Sequence, residues 1–105
     1  MDFPGRVSVE RKGRSGLVHV DVGGWLLHFD WELGGGDCIA FVAAPDPDAW
    51  SALEPHRHLE REAFLAWLAA ELAAVECPAA AVEVGPAGIH FLERRTGLPD
   101  PRTHP

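Results

Sequence analysis

The chain has no long apolar segment and few cysteines. No stretch of about 18 apolar residues is present, and no positively charged start precedes an apolar run, so the sequence predicts neither a membrane span nor a secretory signal. We therefore expect a cytoplasmic protein. The two cysteines, Cys38 and Cys77, fall in a predicted interior strand and just past a predicted helix, which favours two buried thiols over a disulfide.

Basic side chains are scarce in the middle of the chain. Residues 17–92 contain twelve acidic side chains and only two basic ones, Arg57 and Arg61, which gives a net charge of −10, whereas residues 1–16 carry +2 and residues 93–105 carry +1. Such a field repels a phosphate backbone and attracts a basic protein. We expect no nucleic-acid partner and favour a basic protein partner. The alternative is that the acidic surface only keeps the protein soluble.

No arrangement of catalytic residues can be recognised. The sequence offers no Ser/His/Asp or Cys/His constellation, and Cys38 lies in an apolar run, where burial makes a thiol unreactive. The glycines at 34–36 are not followed by a helix start that could hold a phosphate. The sequence therefore predicts a protein that is not an enzyme.

The pattern of apolar residues predicts a single α+β domain over residues 1–94, followed by a flexible proline-rich tail over 95–105. Apolar and polar residues alternate along 7–12, 17–22 and 25–33, as in half-buried strands, and an uncharged run follows at 38–43. Short glycine-containing turns separate these segments, which predicts an antiparallel meander of about four strands. One or two further strands are expected near the C-terminus, with 81–84 and 89–92 as the candidate segments.

The turn lengths predict how these strands pair. A two-residue turn after the second strand places Val20 opposite Leu27, and a four-residue turn after the first strand places Val9 opposite Val20. A three-glycine loop after the third strand places Phe41 opposite Phe29. We therefore expect Phe29 and Phe41 to share the apolar face on which a helix packs.

One amphipathic helix is predicted from about residue 58 to residue 76. Its large apolar side chains fall within roughly 100° of one another at 3.6 residues per turn, which is the width of a core-facing stripe; they are Phe64, Leu65, Leu68, Leu72 and Val75. The opposite side is rich in alanine, with Ala63, Ala66, Ala70 and Ala73. That side is a possible homodimer surface, and the alternative is that alanine is there only as a good helix former.

A metal site is one possibility on the sheet face away from the helix. The predicted pairing places Glu10, His19 and His28 side by side there. Two histidines and a carboxylate are ligands that zinc or iron accepts. The alternative is that these are ordinary polar side chains facing water.

A partner-binding surface is the other possibility. Four residues lie in the loop between the fourth strand and the helix, near the acidic end of the third strand, and tryptophan is enriched among residues that dominate binding. The predicted partner-binding residues are Glu32, Asp37, Asp46, Asp48, Trp50 and Glu54. In the alternative, Trp50 folds back against the sheet edge.

The order of these features resembles that of the small α+β immunity proteins of bacterial polymorphic toxin systems. An acidic, aromatic strand leads into Gly35-Gly36-Asp37 and Ile39-Ala40-Phe41, followed by a proline-rich acidic loop with Trp50, an amphipathic helix and a closing strand. The resemblance covers residues 7–92 in outline and 35–50 in motif. It implies a cytoplasmic inhibitor that binds and blocks a cognate toxin domain, without catalysis or cofactor. The chain departs from the pattern in its alanine-rich helix, in His56-x-His58 and in its tail after Glu93. The resemblance therefore does not identify the toxin.

Overall fold

The fold is a six-stranded antiparallel sheet with one long helix packed across one face. The computed structural model describes residues 5–34, 38–76 and 80–92. Its elements are β1 (Gly5–Lys12), β2 (Ser15–Val22), β3 (Trp25–Leu33), β4 (Cys38–Ala43), α1 (Pro47–Ala52), a 3₁₀ turn (His56–His58), α2 (Arg61–Glu76), β5 (Ala81–Gly85) and β6 (Gly88–Leu92). The strand order is β1-β2-β3-β4-β6-β5, so β1 and β5 form the edges. The predicted α+β class, a meander of about four strands with one or two further strands, is confirmed, and the further strands number two.

Some predictions fall on residues outside those ranges. They concern Asp37 of the partner-binding set, Cys77 and the tail over 95–105. The Cys38 side chain also lies outside the described part of the chain.

The first three strands pair through two tight turns. Val20 lies opposite Leu27, as the sequence predicts. The predicted pairing of Val9 with Val20 is wrong, because the β1–β2 turn has two residues rather than four and Val9 lies opposite Val18. Gly13 occupies this turn with φ 63°, a conformation that glycine adopts without steric cost. The offset is two residues, so Val9 still points to the helix side of the sheet.

The predicted pairing of β4 is also wrong, and here the offset changes which face each side chain occupies. Val42 lies opposite Trp31, and Phe41 lies opposite Glu32 rather than Phe29. Val42 is therefore buried under the helix and Phe41 is on the opposite face. Because Cys38–Ala43 is apolar at every position, its hydrophobic pattern does not specify which side faces the core.

Helix α2 covers the inner side of the sheet. Phe64, Leu65 and Leu68 of its predicted stripe are fully buried, and Leu72 is buried beside them. Val75 was predicted in the same stripe, and this is wrong because its side chain is 77% exposed. Val75 belongs to the last turn of the helix, next to the edge strand β1, where no further strand covers it.

The helix begins at Arg61, three residues later than predicted, and this arginine is buried with only 7% exposure. Its Nε donates to the carbonyl of Pro45 at 2.9 Å, and its Nη2 donates to the carbonyls of Gly85 and Pro86 at 2.9 and 3.0 Å. Nη1 also bonds the exposed carboxylate of Glu62 at 2.9 Å. One side chain thus joins the loop after β4 and the β5–β6 turn to the start of α2.

Candidate protein-binding surface

The sheet face away from α2, which we call the outer face, carries uncompensated negative charge. Leu27, Phe29 and Trp31 of β3 are buried beneath the helix, so the residues between them point outward. Four exposed outer-face carboxylates form no ion pair with any described residue; they are Asp21, Asp30, Glu32 and Glu83. Arg6 and Lys12 of β1 also point to this face, with Arg6 opposite Asp21, so the excess of acid lies on β3 and β5.

Strand pairing aligns part of this charge in a row across four strands. Glu32 of β3 lies opposite Phe41 of β4, Phe41 opposite His90 of β6, and His90 opposite Glu83 of β5. The Phe41 and His90 rings have centroids 4.7 Å apart. Both rings are half-buried, and both glutamates are exposed. We call these four residues the outer row; it is an aromatic centre with a carboxylate at each end.

The chemistry of the outer row suits a cationic side chain. An arginine or lysine placed over the Phe41 ring would be attracted by the face of the ring and by the flanking carboxylates. Several basic side chains of this chain are already engaged elsewhere: Arg11 pairs with Glu76, Arg57 pairs with Glu54, and Arg61 is buried. No described residue forms an ion pair with either glutamate of the outer row.

Trp50 occupies the core rather than a binding surface. Its side chain is 3% exposed, and its indole N–H donates to the carbonyl of Leu59 at 2.9 Å. The ring stacks on Phe29, with centroids 6.3 Å apart, and contacts Phe64 at 5.7 Å. The alternative considered for the sequence expected Trp50 to fold back against the sheet edge; the structure does bury Trp50, but against the interior strand β3.

The other described residues of the predicted partner-binding set, Glu32, Asp46, Asp48 and Glu54, are not brought together. Asp46 caps α1 by accepting a hydrogen bond from the Ala49 N–H at 2.8 Å, and Glu54 pairs with Arg57 and with His58. Asp48 is exposed and forms no ion pair among the described residues. Because α1 lies on the helix side through Trp50 and Glu32 points to the outer face, the two groups of acids occupy different sides of the sheet.

The predicted metal cluster is only partly assembled. His19 lies opposite His28, with ring centroids 4.8 Å apart and edge-to-face, and His19 Nε2 is 3.1 Å from Glu10 Oε2. This hydrogen bond, together with the nearby ammonium of Lys12, lowers the pKa of the Glu10 carboxyl below its ordinary value. Within 5–34, 38–76 and 80–92, no three histidine, cysteine or acidic side chains are grouped as a metal would require.

A cavity of about 140 Å³ lies between the sheet and the C-terminal half of α2. Apolar side chains dominate its wall, including Val9, Val18, Leu72 and Phe91, and the ion pair between Arg11 and Glu76 also lines it. The Arg11 guanidinium lies 5.2 Å from the centroid of the Trp31 ring, another lining residue. The cavity is close in size to a known apolar cavity of about 150 Å³ that binds benzene.

Three members of the outer row were missed at the level of sequence: Phe41 was expected in the core, and His90 and Glu83 were not considered as binding residues. The β5–β6 turn at Pro86–Ala87 is a signal for the Glu83 and His90 pair alone, because a hairpin there places these two residues opposite each other.

Comparisons with protein-family models, with characterised proteins and with solved structures find no match for this chain. Among the described residues, no helix is both long enough and apolar enough to cross a bilayer.

Proposed function

We propose that the protein is a binding module, an immunity-type inhibitor that captures and neutralises a basic bacterial toxin domain in the cytoplasm without catalysis or cofactor. The observation that carries the proposal is the outer row, in which Glu32 and Glu83 flank the Phe41 and His90 rings on an open sheet face. Aromatic residues ringed by charge are typical of the energetic centre of an interface. Of the residues predicted from the sequence, Glu32 contributes directly to this surface.

The charge distribution supports the same proposal. Residues 17–92 carry −10, and the outer face displays four of the carboxylates outside any ion pair with a described residue. A basic partner would be steered to this face before contact, which raises the association rate at low salt. Asp48 is the one predicted loop carboxylate that is exposed without a capping or ion-pair role, and it marks a second surface on which the partner could be tested.

The test partner is the protein encoded by the reading frame next to that of this chain, expressed in bacteria with and without it. We expect the chain to restore growth and to bind the partner with an association rate that falls as salt rises. The double substitution Glu32→Lys/Glu83→Lys should slow association by about tenfold or more and abolish protection, because it replaces attraction by repulsion at both ends of the outer row.

The matched control is Asp48→Lys/Glu71→Lys, which makes the same change in net charge on the helix side. Asp48 and Glu71 are exposed and form no ion pair among the described residues. We expect this control to keep protection. Binding that is indifferent both to salt and to charge reversal on the outer row would refute the proposal, and loss of binding in the control alone would move the surface to the loop.

A second candidate function, ligand binding, is favoured by the cavity beside Leu72 and Phe91. Indole or benzene should then raise the melting temperature of the purified chain, and Ala40→Leu, which places a larger side chain in the cavity wall, should abolish the shift. For the Glu10, His19 and His28 alternative, elemental analysis of protein purified without a histidine tag decides, because the inhibitor requires no metal.

A further inference from the structure

The edge strand β1 is long and unbroken, and its protection against pairing with another strand is limited to charged side chains such as Lys12. Its eight residues pair with β2 without a break in register, and no proline or bulge interrupts it. The opposite edge, β5, has only five residues and ends at Gly85, directly before Pro86. Natural sheets shorten, bend or block an edge that should stay single. Of the two edges, β1 is the one open to a further strand.

The pairing of β1 with β2 determines which backbone groups face outward. A two-residue turn makes its flanking residues, Lys12 and Ser15, a hydrogen-bonded pair, and hydrogen-bonded pairs then alternate along the ladder. The even-numbered residues of β1 therefore direct N–H and C=O to β2. On the other side of β2, Leu33 N donates to Arg14 O at 2.8 Å, which agrees with this alternation. Val7 and Val9 direct their backbone groups to the free edge.

The side chains at this edge are also incompletely covered. Val7 and Val9 point to the helix side but are only half-buried. A groove of about 210 Å³ runs between them and the C-terminal half of α2, and Val75 in its wall is 77% exposed. Apolar surface that lies beside an open strand edge is what a second sheet would cover.

The charges of β1 are complementary to those of a second β1. If two copies run antiparallel with Ser8 opposite Ser8, each Arg6 lies opposite Glu10 of the other copy, and each Val7 lies opposite Val9. Shifting the register by two residues in one direction places Arg6 opposite Lys12, and in the other it places Arg6 opposite Ser8. The register centred on Ser8 is the one that forms two ion pairs and two valine pairs together.

We propose that two copies of the chain pair through β1, antiparallel about a twofold axis at Ser8, so that the sheet continues across a dimer. The backbone groups of Val7 and Val9 become hydrogen-bonded, and the valines cover one another beside the groove. Arg6 and Glu10 select the register on the outer face. This dimer is independent of the proposed inhibitor function.

Sedimentation equilibrium of the purified chain tests the proposal through a charge swap. We expect the wild type to dimerise, and Arg6→Glu and Glu10→Arg each to weaken the dimer by about tenfold or more, because each substitution creates two like-charge pairs. An equimolar mixture of the two variants should regain dimers. In the mixed dimer, the Arg6→Glu strand is acidic at positions 6 and 10, and it faces the Glu10→Arg strand, which is basic at both positions. The double variant Arg6→Glu/Glu10→Arg in one chain should regain them as well.

Two controls separate this surface from others. Arg14→Glu makes the same change in net charge in the β1–β2 turn, outside the paired segment, and should leave the dimer intact. Ala70→Glu places a charge on the exposed alanine-rich side of α2, the alternative homodimer surface. A monomeric wild type, failure of the mixture to associate, or dissociation by Ala70→Glu with Arg6→Glu unaffected would each overturn the proposal.

Discussion

The two halves of the layer between α2 and the sheet are packed differently. Under the N-terminal half, Phe29, Trp50, His56 and Phe64 form one aromatic cluster, with Trp50 and His56 ring centroids 4.8 Å apart and Phe29 and Phe64 centroids 6.2 Å apart. Under the C-terminal half, a cavity of about 140 Å³ and a groove of about 210 Å³ remain. We call these the filled half and the open half.

This difference in packing suggests that the filled half stabilises the fold and that the open half is available for interaction. In the filled half, the aromatic rings pack on one another and Arg61 bonds backbone carbonyls of the chain, so little surface is left for a partner. In the open half, Val7, Val9 and Val75 stay partly exposed next to a free strand edge. The filled half should therefore account for most of the free energy of unfolding, and the open half should tolerate change or take up a partner.

The largest effect is expected from truncating the centre of the filled half. Phe64→Ala removes a fully buried ring that contacts Phe29, Trp50 and Trp67, and it should lower the free energy of unfolding by about 4 kcal/mol. Val75→Ala in the open half should change it by less than about 0.5 kcal/mol. Urea unfolding of both variants is the measurement, and similar losses from the two would contradict the comparison.

The second largest loss of stability is expected from substitution of Arg61. Arg61→Met keeps much of the side-chain volume but leaves the carbonyls of Pro45, Gly85 and Pro86 without their donor, which should cost about 3 kcal/mol in the same assay. Arg57→Met removes an exposed ion pair with Glu54 and should cost less than about 1 kcal/mol. Equal effects of the two substitutions would show that Arg61 does not join the elements as described.

Adding one methylene group by a Val→Ile substitution tests how tightly each half is packed. Val20 is fully buried and does not line the cavity, so Val20→Ile should overpack the core and cost about 1 to 3 kcal/mol. Val9 lines both the cavity and the groove, so Val9→Ile should be neutral or stabilise by up to about 1 kcal/mol. Thermal unfolding measures both, and the reverse order would mean that the open half is already full.

The strand pairings that could and could not be predicted from the sequence differ in the same way. Strands β2 and β3 each have one polar and one apolar side, so the pairing of Val20 with Leu27 could be predicted. In β4 both sides are apolar, and the long-range pairing with β3 and β6 places Phe41 outward. The outer row joins residues 32, 41, 83 and 90 through that pairing. No local pattern in the sequence could therefore have assembled it.

The burial of Trp50 could not be predicted from the sequence, for a different reason. A tryptophan in an acidic, proline-rich loop is compatible with an exposed binding residue and with a core residue, and the choice depends on distant partners. Here Phe29, Phe64 and the carbonyl of Leu59 provide the contacts that bury it. None of these is close in sequence except Leu59.

The smallest effect is a pH dependence in the filled half. Burial among the aromatic rings lowers the pKa of His56 below its ordinary value of 6.5, so the unfolded chain binds this proton more readily than the folded one. Stability from this group is full above pH 6.5 and is lost as pH falls through that value. His56→Phe should flatten this part of a stability profile measured by urea unfolding between pH 8 and pH 5, whereas His28→Gln on the exposed outer face should leave it unchanged.

Amide hydrogen exchange at several protein concentrations tests most directly that the open half is an interface between copies. Ser8 and Glu10 donate within the chain and should exchange slowly at every concentration, as should the amides around Phe64. Val7 and Val9 should exchange quickly in dilute protein and slow down as concentration rises, because their N–H groups become bonded only in the dimer. Exchange at Val7 and Val9 that stays fast at the highest concentration would contradict the account.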